Sequence, residues 1–222
     1  MKGGPTLKLS QKQQQIVSHK DGALLVEAGP GSGKTRVLIE RIKFLLSSTK
    51  RGKILALTFS NLAADEMKER LSEDQSFEEQ VDRVTVGTIH SFCLDLVQSR
   101  GNLIGLDTDM VLFENEEDRR TLLKEVFIEN PQLKDFLAQY DDKSKVFQRV
   151  LQLITEQKKS FVLPEDCAVS APFPFIYSEY NSKLLDQNAM DFDDILFFAY
   201  RILTENASVV RMYNSLYKYI CI

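Results

Sequence analysis

Cysteine is scarce in this chain. Its three residues, Cys93, Cys167 and Cys221, are too far apart and too odd in number for a disulfide framework or a zinc pattern. That usage suits a reducing compartment, and a cytoplasmic location is expected. No run of about 18 apolar residues occurs, so nothing reads as a membrane span. The opening Met1-Lys2-Gly3-Gly4-Pro5 lacks the apolar stretch of a secretory signal. Positive charge is not in surplus either: 28 Lys and Arg face 32 Asp and Glu, a net charge of −4. Such a balance does not advertise nucleic-acid binding, although a local groove matters more than the total. Internal repeats and low-complexity tracts are absent. What remains, 43% hydrophobic and 27% charged over 222 residues, is an ordinary globular composition with enough chain for one or two domains.

The most informative stretch is Ala28-Gly29-Pro30-Gly31-Ser32-Gly33-Lys34-Thr35-Arg36. It follows an apolar run, Ala23-Leu24-Leu25-Val26, expected to be a strand, and precedes the helical pattern Val37, Leu38, Ile39, Ile42, Leu45, Leu46. Strand, glycine-rich turn, Gly-Lys-Thr and helix form the phosphate-binding loop of nucleotide hydrolases. Glycines let the backbone curl until successive N–H groups face one anion, and the helix N-terminus adds its partial positive charge. Lys34 then reaches the β/γ-phosphates, and the Thr35 hydroxyl is placed to ligate Mg²⁺. Ala28 stands where the strict pattern has Gly. Just upstream, Ser10 and Gln13 fit a capping box. The Gln13 amide, a donor beside an acceptor, could equally pair with adenine.

Ile54-Leu55-Ala56-Leu57-Thr58-Phe59 reads as a buried strand ending at the helix-capping Ser60-Asn61, with Ala63, Met67 and Leu71 on one face of the following helix. Val84-Thr85-Val86 is a third strand, followed by Gly87-Thr88-Ile89-His90-Ser91-Phe92 and another helix. Strands alternating with helices predict a parallel, doubly wound sheet whose carboxyl edge gathers the unusual loops. From about residue 102 the alternation stops. Glu114 to Glu129, a helix opened by Pro131, and Val146 to Ile154 predict a mostly helical insertion. Asp191 is expected to cap a helix with Asp193 and Asp194 in its first turn, in preference to a metal site. Tyr217 to Ile222 reads as a closing strand.

Together these segments resemble the UvrD/Rep/PcrA family of superfamily 1 DNA helicases. Leu9-Ser10 through Gln13 to Val17 looks like the family's Q motif, and Ala28 to Thr35 like motif I. Thr58 to Met67 looks like motif Ia, with Leu62 in place of the usual Lys. Gly87 to Phe92 looks like motif Ib, and Asp191 to Leu196 like the segment shortly before the Walker B strand. The resemblance implies a RecA-like sheet interrupted by a helical subdomain: domain 1A at 1–92 and 190–222, subdomain 1B at 93–189. It implies that Gln13 recognises adenine, with Ala28, Gly29, Pro30, Gly31, Ser32, Gly33, Lys34, Thr35 and Arg36 completing the ATP site, and that Lys34 and Thr35 serve catalysis, the latter through Mg²⁺. Thr58, Phe59, Ser60, Asn61, Thr88 and His90 would lie along single-stranded DNA, and duplex junctions would be bound by the whole protein. The Walker B Asp-Glu would follow residue 222, so the resemblance implies a helicase chain cut before motif II. Its parent would be an ATP-dependent 3′→5′ helicase of a pathway such as DNA repair, and the chain alone would not hydrolyse ATP. A non-catalytic nucleotide- or DNA-binding regulatory module is the alternative.

Overall fold

Helix starts are well marked in this chain, and they organise the fold. The computed structural model describes residues 8–20, 22–49, 51–73, 80, 82–107 and 109–222. The opening residues 1–7 lie outside these. Two compact units are present, one formed by residues 1–89 with 211–222, the other by 90–210.

In the first unit, α1 (Gln11–Ser18) opens on Ser10, whose hydroxyl accepts from the Gln13 N–H while the Gln13 side chain accepts from the Ser10 N–H. α2 (Lys34–Ser48) follows the glycine-rich turn. β1 (Lys53–Thr58), α3 (Asn61–Ser72) and β2 (Val84–Thr88) come next, and β5 (Tyr217–Cys221) returns from the far end of the chain. The strands form a parallel sheet in the order β2-β1-β5. Parallel pairing needs crossovers, and both faces of such a sheet are usually covered, hence the continuous burial of Ile54, Leu55, Ala56 and Leu57. Ile39, Ile42, Leu45 and Leu46 of α2 and Met67 and Leu71 of α3 pack with Ile54 and Ala56 into one core.

The expected strand at Ala23-Leu24-Leu25-Val26 does not form. The segment is irregular, and Leu25 is 85% exposed. A strand exists only with a ladder partner, and none of the three strands in this sheet takes that place.

The second unit is mainly helical: α4 (Ile89–Arg100, its first residue in the other unit), α5 (Glu116–Glu129), α6 (Pro131–Ala138), α7 (Lys143–Lys159), α8 (Phe173–Asp186), α9 (Phe192–Glu205) and the first turn of α10 (Ala207–Leu216). Pro131 sits in the first turn of α6, with the Asn130 side chain accepting from Gln132 and Leu133 N–H groups. A short parallel pair, β3 (Val111–Phe113) with β4 (Ala189–Asp191), is an addition the sequence pattern did not suggest. Three-residue strands carry too little alternation to be seen. Leu122, Leu123, Val126 and Phe127 of α5, Ile154 of α7 and Tyr177 and Tyr180 of α8 make the core. Pro172 stands at the N-cap of α8, which begins at Phe173. The sequence reading resumed the first domain at residue 190, whereas α9 falls within the compact helical unit.

Candidate nucleotide and nucleic-acid sites

The glycine-rich loop is built as its residues dictate. Gly31 and Gly33 have φ of 72° and 81°, in the left-handed region where a Cβ is strained. Gly33 is also the N-cap of α2 and offers no side chain to the helix's first N–H groups. Those donors are therefore available to an anion rather than to a capping oxygen. The Ser32 hydroxyl folds back onto the Gly29 carbonyl at 2.8 Å. Residues 28–34 are exposed, and Thr35 and Arg36 are half-buried.

Lys34 is turned inward on its own loop. Its ammonium donates to the carbonyls of Ala28 at 3.1 Å and Gly29 at 2.9 Å. Gln13 is brought to the same loop, its Nε2 donating to the Ser32 carbonyl at 3.2 Å while Oε1 accepts from the Ser10 N–H at 2.9 Å. Both readings of Gln13 thus meet in one geometry: it completes the capping box, and it lies against the phosphate loop. Arg41 of α2 explains why α1 stays there. Its guanidinium NH1 donates to the carbonyls of Ile16 at 2.9 Å and His19 at 2.6 Å, gripping the end of α1. Sequence reading missed Arg41, because a cation in an amphipathic helix looks like an ordinary solvated face.

A second cluster of candidates lies at the carboxyl end of the sheet. Thr58 of β1 and Thr88 of β2 are register partners. The Thr58 hydroxyl donates to the Ser60 carbonyl at 2.9 Å, and the Ser60 hydroxyl caps α3 by accepting from Ala63. Phe59 is 100% exposed, which removes any core role. Asn61 opens α3, and Leu62 beside it is 81% exposed.

His90 belongs to the helical unit, in the first turn of α4. Its ring stacks on Phe192, with centroids 4.5 Å apart and planes at 19°. Phe192 itself is 47% exposed. Asp191 caps α9, as expected: its Oδ1 accepts from the N–H groups of Asp193 and Asp194, and the Asp194 carboxylate accepts from the Asp191 N–H. These acids are taken up by cations. Lys158 Nζ lies 2.9 Å from Asp191 and 2.7 Å from Asp194, and Arg119 lies 3.5 Å from Asp191 and from Asp193. Burial opposes ionisation of Asp191, but Lys158 and Arg119 outweigh it and hold the carboxyl below its usual range. For Asp194 burial wins, and its carboxyl is pushed up to about 6. Lys158 is only 1% exposed, although it is a lysine. The signal was present: it continues the buried stripe Phe147, Val150, Leu151 and Ile154 of α7.

Among the described residues no group of three or more His, Cys, Asp or Glu side chains could hold a metal ion. Burial pushes the Cys93 thiol up to about 11 and raises that of Cys221, so neither is poised as a thiolate. No helix among the described residues is long and apolar enough to cross a membrane.

A glycine-rich turn delivering a lysine and a threonine to an uncapped helix N-terminus, beside a parallel α/β sheet, defines the class: a mixed α/β protein with an anion-accepting loop. The chain belongs to the family of UvrD/REP helicase N-terminal domains, whose pattern it matches over residues 9–222. It is 30% identical to a probable DNA helicase II homolog of Mycoplasma capricolum over 96% of its own length and 30% of that protein's. It is likewise 30% identical to the ATP-dependent DNA helicase PcrA of Bacillus subtilis, over 96% of this chain and 28% of that one. With the ATP-dependent DNA helicase Rep of Buchnera aphidicola it shares 27% identity, over 97% of this chain and 32% of the other. The chain thus spans less than a third of the relatives it matches.

Proposed function

We propose that this chain is the ATP-binding N-terminal part of an ATP-dependent 3′→5′ DNA helicase that travels on single-stranded DNA. The observation that carries the reading is the joint placement of Lys34, the uncapped start of α2 and Gln13 around one exposed glycine-rich loop. ATP would displace the two loop carbonyls from Lys34, whose ammonium then meets the β- and γ-phosphates. The N–H groups of Gly29 and of Gly31 to Thr35 would bind phosphate oxygens, Pro30 shaping the turn between them, and Arg36 would flank them. Thr35 fits Mg²⁺ as a single hydroxyl ligand, since that ion keeps several waters and takes phosphate oxygens for the rest. Bound Mg²⁺ supplies charge neutralisation at the phosphates.

The sheet and α2 form the RecA-like core in this reading, with subdomain 1A at 1–92 and 190–222 and 1B at 93–189. Thr58, Ser60, Asn61, Thr88 and His90 contact the DNA backbone, and Phe59 stacks on a base. Duplex junctions, a cytoplasmic setting and a pathway such as DNA repair go with the whole helicase, which adds the remaining helicase domains.

The chain by itself is expected to bind ATP and not to turn it over. The carboxyl ends of β1, β2 and β5 carry Thr58, Thr88 and Cys221, none of them an acid. Asp193 and Asp194 are engaged by Arg119 and Lys158. Magnesium-ATP binding and turnover, measured with and without single-stranded DNA, test this directly. Binding that is lost in Lys34→Ala, with no turnover, is the expected result. Turnover abolished by the same substitution would show that a catalytic acid lies within these residues.

A further inference from the structure

Phe192 is held from both sides. Asp191 precedes it, and the Asp191 Oδ2 accepts from Lys158 Nζ at 2.9 Å and from the Tyr180 hydroxyl at 3.0 Å. Asp193 follows it, and the Asp193 Oδ2 accepts from the Thr155 hydroxyl at 2.6 Å. Arg119 reaches both flanking carboxylates and also donates to the Tyr180 and Thr155 hydroxyls. One short stretch at the start of α9 is therefore clamped by side chains of α5, α7 and α8. Lys158 is the innermost cation and the only one of the two that also reaches Asp194 at 2.7 Å. Burying an ammonium is a poor way to gain stability, because desolvation offsets most of the Coulombic attraction. A buried ion cluster of this kind is better explained by the single geometry it enforces. That geometry leaves the Phe192 ring half exposed and flat against His90.

We propose that Lys158 is a positioning residue for single-stranded DNA binding: through Asp191 and Asp194 it fixes the start of α9, so that Phe192 holds the His90 ring in the orientation that meets the DNA. This rests on the reading of His90 as a DNA contact. An imidazole without the stack can rotate about two side-chain bonds and must be ordered anew on each encounter, which weakens binding.

The test uses the whole 222-residue chain. Lys158→Met combined with Asp194→Asn removes one charge of each sign, and the new amide oxygen can still accept from the Asp191 N–H. The chain has only two histidines, so the His90 ring protons are easily resolved by proton–carbon NMR. Phe192→Leu supplies the position of those signals without the stack. In the folded double variant the His90 signals should move most of the way to the Phe192→Leu position. Affinity for a fluorescein-labelled oligothymidylate should fall by about threefold to tenfold, as in Phe192→Leu, with no additional fall when the three changes are combined. His90 signals unmoved in a folded double variant overturn the proposal. If the double variant does not fold, Lys158→Gln, which removes the ammonium and keeps a polar side chain in its place, is read by the same signals and decides in the same way. His90→Ala separates the two layers. Unchanged DNA affinity in that variant means the DNA reading of His90 has failed, and the proposed role falls with it even where the ring signals move.

Discussion

Gln13 shows what a single side chain must exchange if it is to read adenine in the proposed ATP complex. Pairing with adenine needs its Oε1 to accept from N6 and its Nε2 to donate to N7. Both atoms are engaged here, with the Ser10 N–H and the Ser32 carbonyl. ATP binding therefore exchanges two hydrogen bonds for two others, and the net gain per nucleotide is smaller than the pair itself. Base selectivity survives the exchange, because guanine keeps the N7 acceptor but sets its O6 acceptor against the Gln13 Oε1, where adenine has the N6 donor. Gln13→Ala should cut the preference for ATP over GTP by about tenfold, within the roughly 1–3 kcal/mol of a bidentate base contact. It should also loosen α1, since the Ser10 N–H loses its reciprocal capping-box acceptor. Competition between the two nucleotides for the chain decides the point. An ATP preference equal to that of the unaltered chain would remove Gln13 from the adenine site.

At the scale of elements, the start of α9 is the most highly charged interior of the protein. Five ionisable side chains meet there, Arg119 and Lys158 against Asp191, Asp193 and Asp194, leaving one carboxylate in excess. The excess settles on Asp194, whose burial raises its carboxyl to about 6. An ordinary aspartate in the unfolded chain titrates near 3.9. Between those values the folded chain holds a proton that the unfolded chain has released, so this group adds stability as pH falls from 7 through about 6 towards 4. Asp191 has the opposite sign. Its carboxyl is depressed in the folded state by Lys158 and Arg119, so its contribution is present above the ordinary value and is lost in more acidic solution. Thermal unfolding should thus show a higher midpoint near pH 5.5 than near pH 7.5. Asp194→Asn should flatten that rise. An equal rise in the variant would place the proton elsewhere.

At the scale of the whole molecule, charge is unevenly shared between the two units. Residues 1–89 and 211–222 hold sixteen Lys and Arg against eleven Asp and Glu, whereas residues 90–210 hold twelve against twenty-one. The overall balance of −4 conceals this, which is why total charge was uninformative about nucleic acid. Other features were legible from the residues themselves. Ser10, Ser60 and Asp191 cap helices because short polar side chains satisfy orphan N–H groups locally. Local chemistry also announced the glycine-rich turn before α2, with its positive-φ Gly31 and Gly33. What escaped sequence reading depends on distant partners: the failure of Leu24 and Leu25 to join the sheet, the grip of Arg41 on α1, the stack of Phe192 on His90. None of these can be inferred from neighbours along the chain. The charge distribution also fixes how DNA binding should respond to salt. In the proposed contact set, Thr58, Ser60, Asn61 and Thr88 are uncharged donors, and Leu62 occupies the place of a lysine. Counterion release contributes about 0.7 to the logarithmic salt slope for each phosphate neutralised on a single strand. The chain should therefore bind oligothymidylate with a shallow slope, carried by base stacking on Phe59 more than by ion pairs. Leu62→Lys, at an 81% exposed position on the first turn of α3, adds one cation to that face. It should raise affinity at low salt and steepen the slope by about 0.7, with little change in thermal stability. Fluorescence anisotropy titrations across a salt series measure both quantities. A slope that stays unchanged in Leu62→Lys would mean that DNA does not run past the start of α3, and the DNA path through Phe59, Ser60 and Asn61 would be wrong.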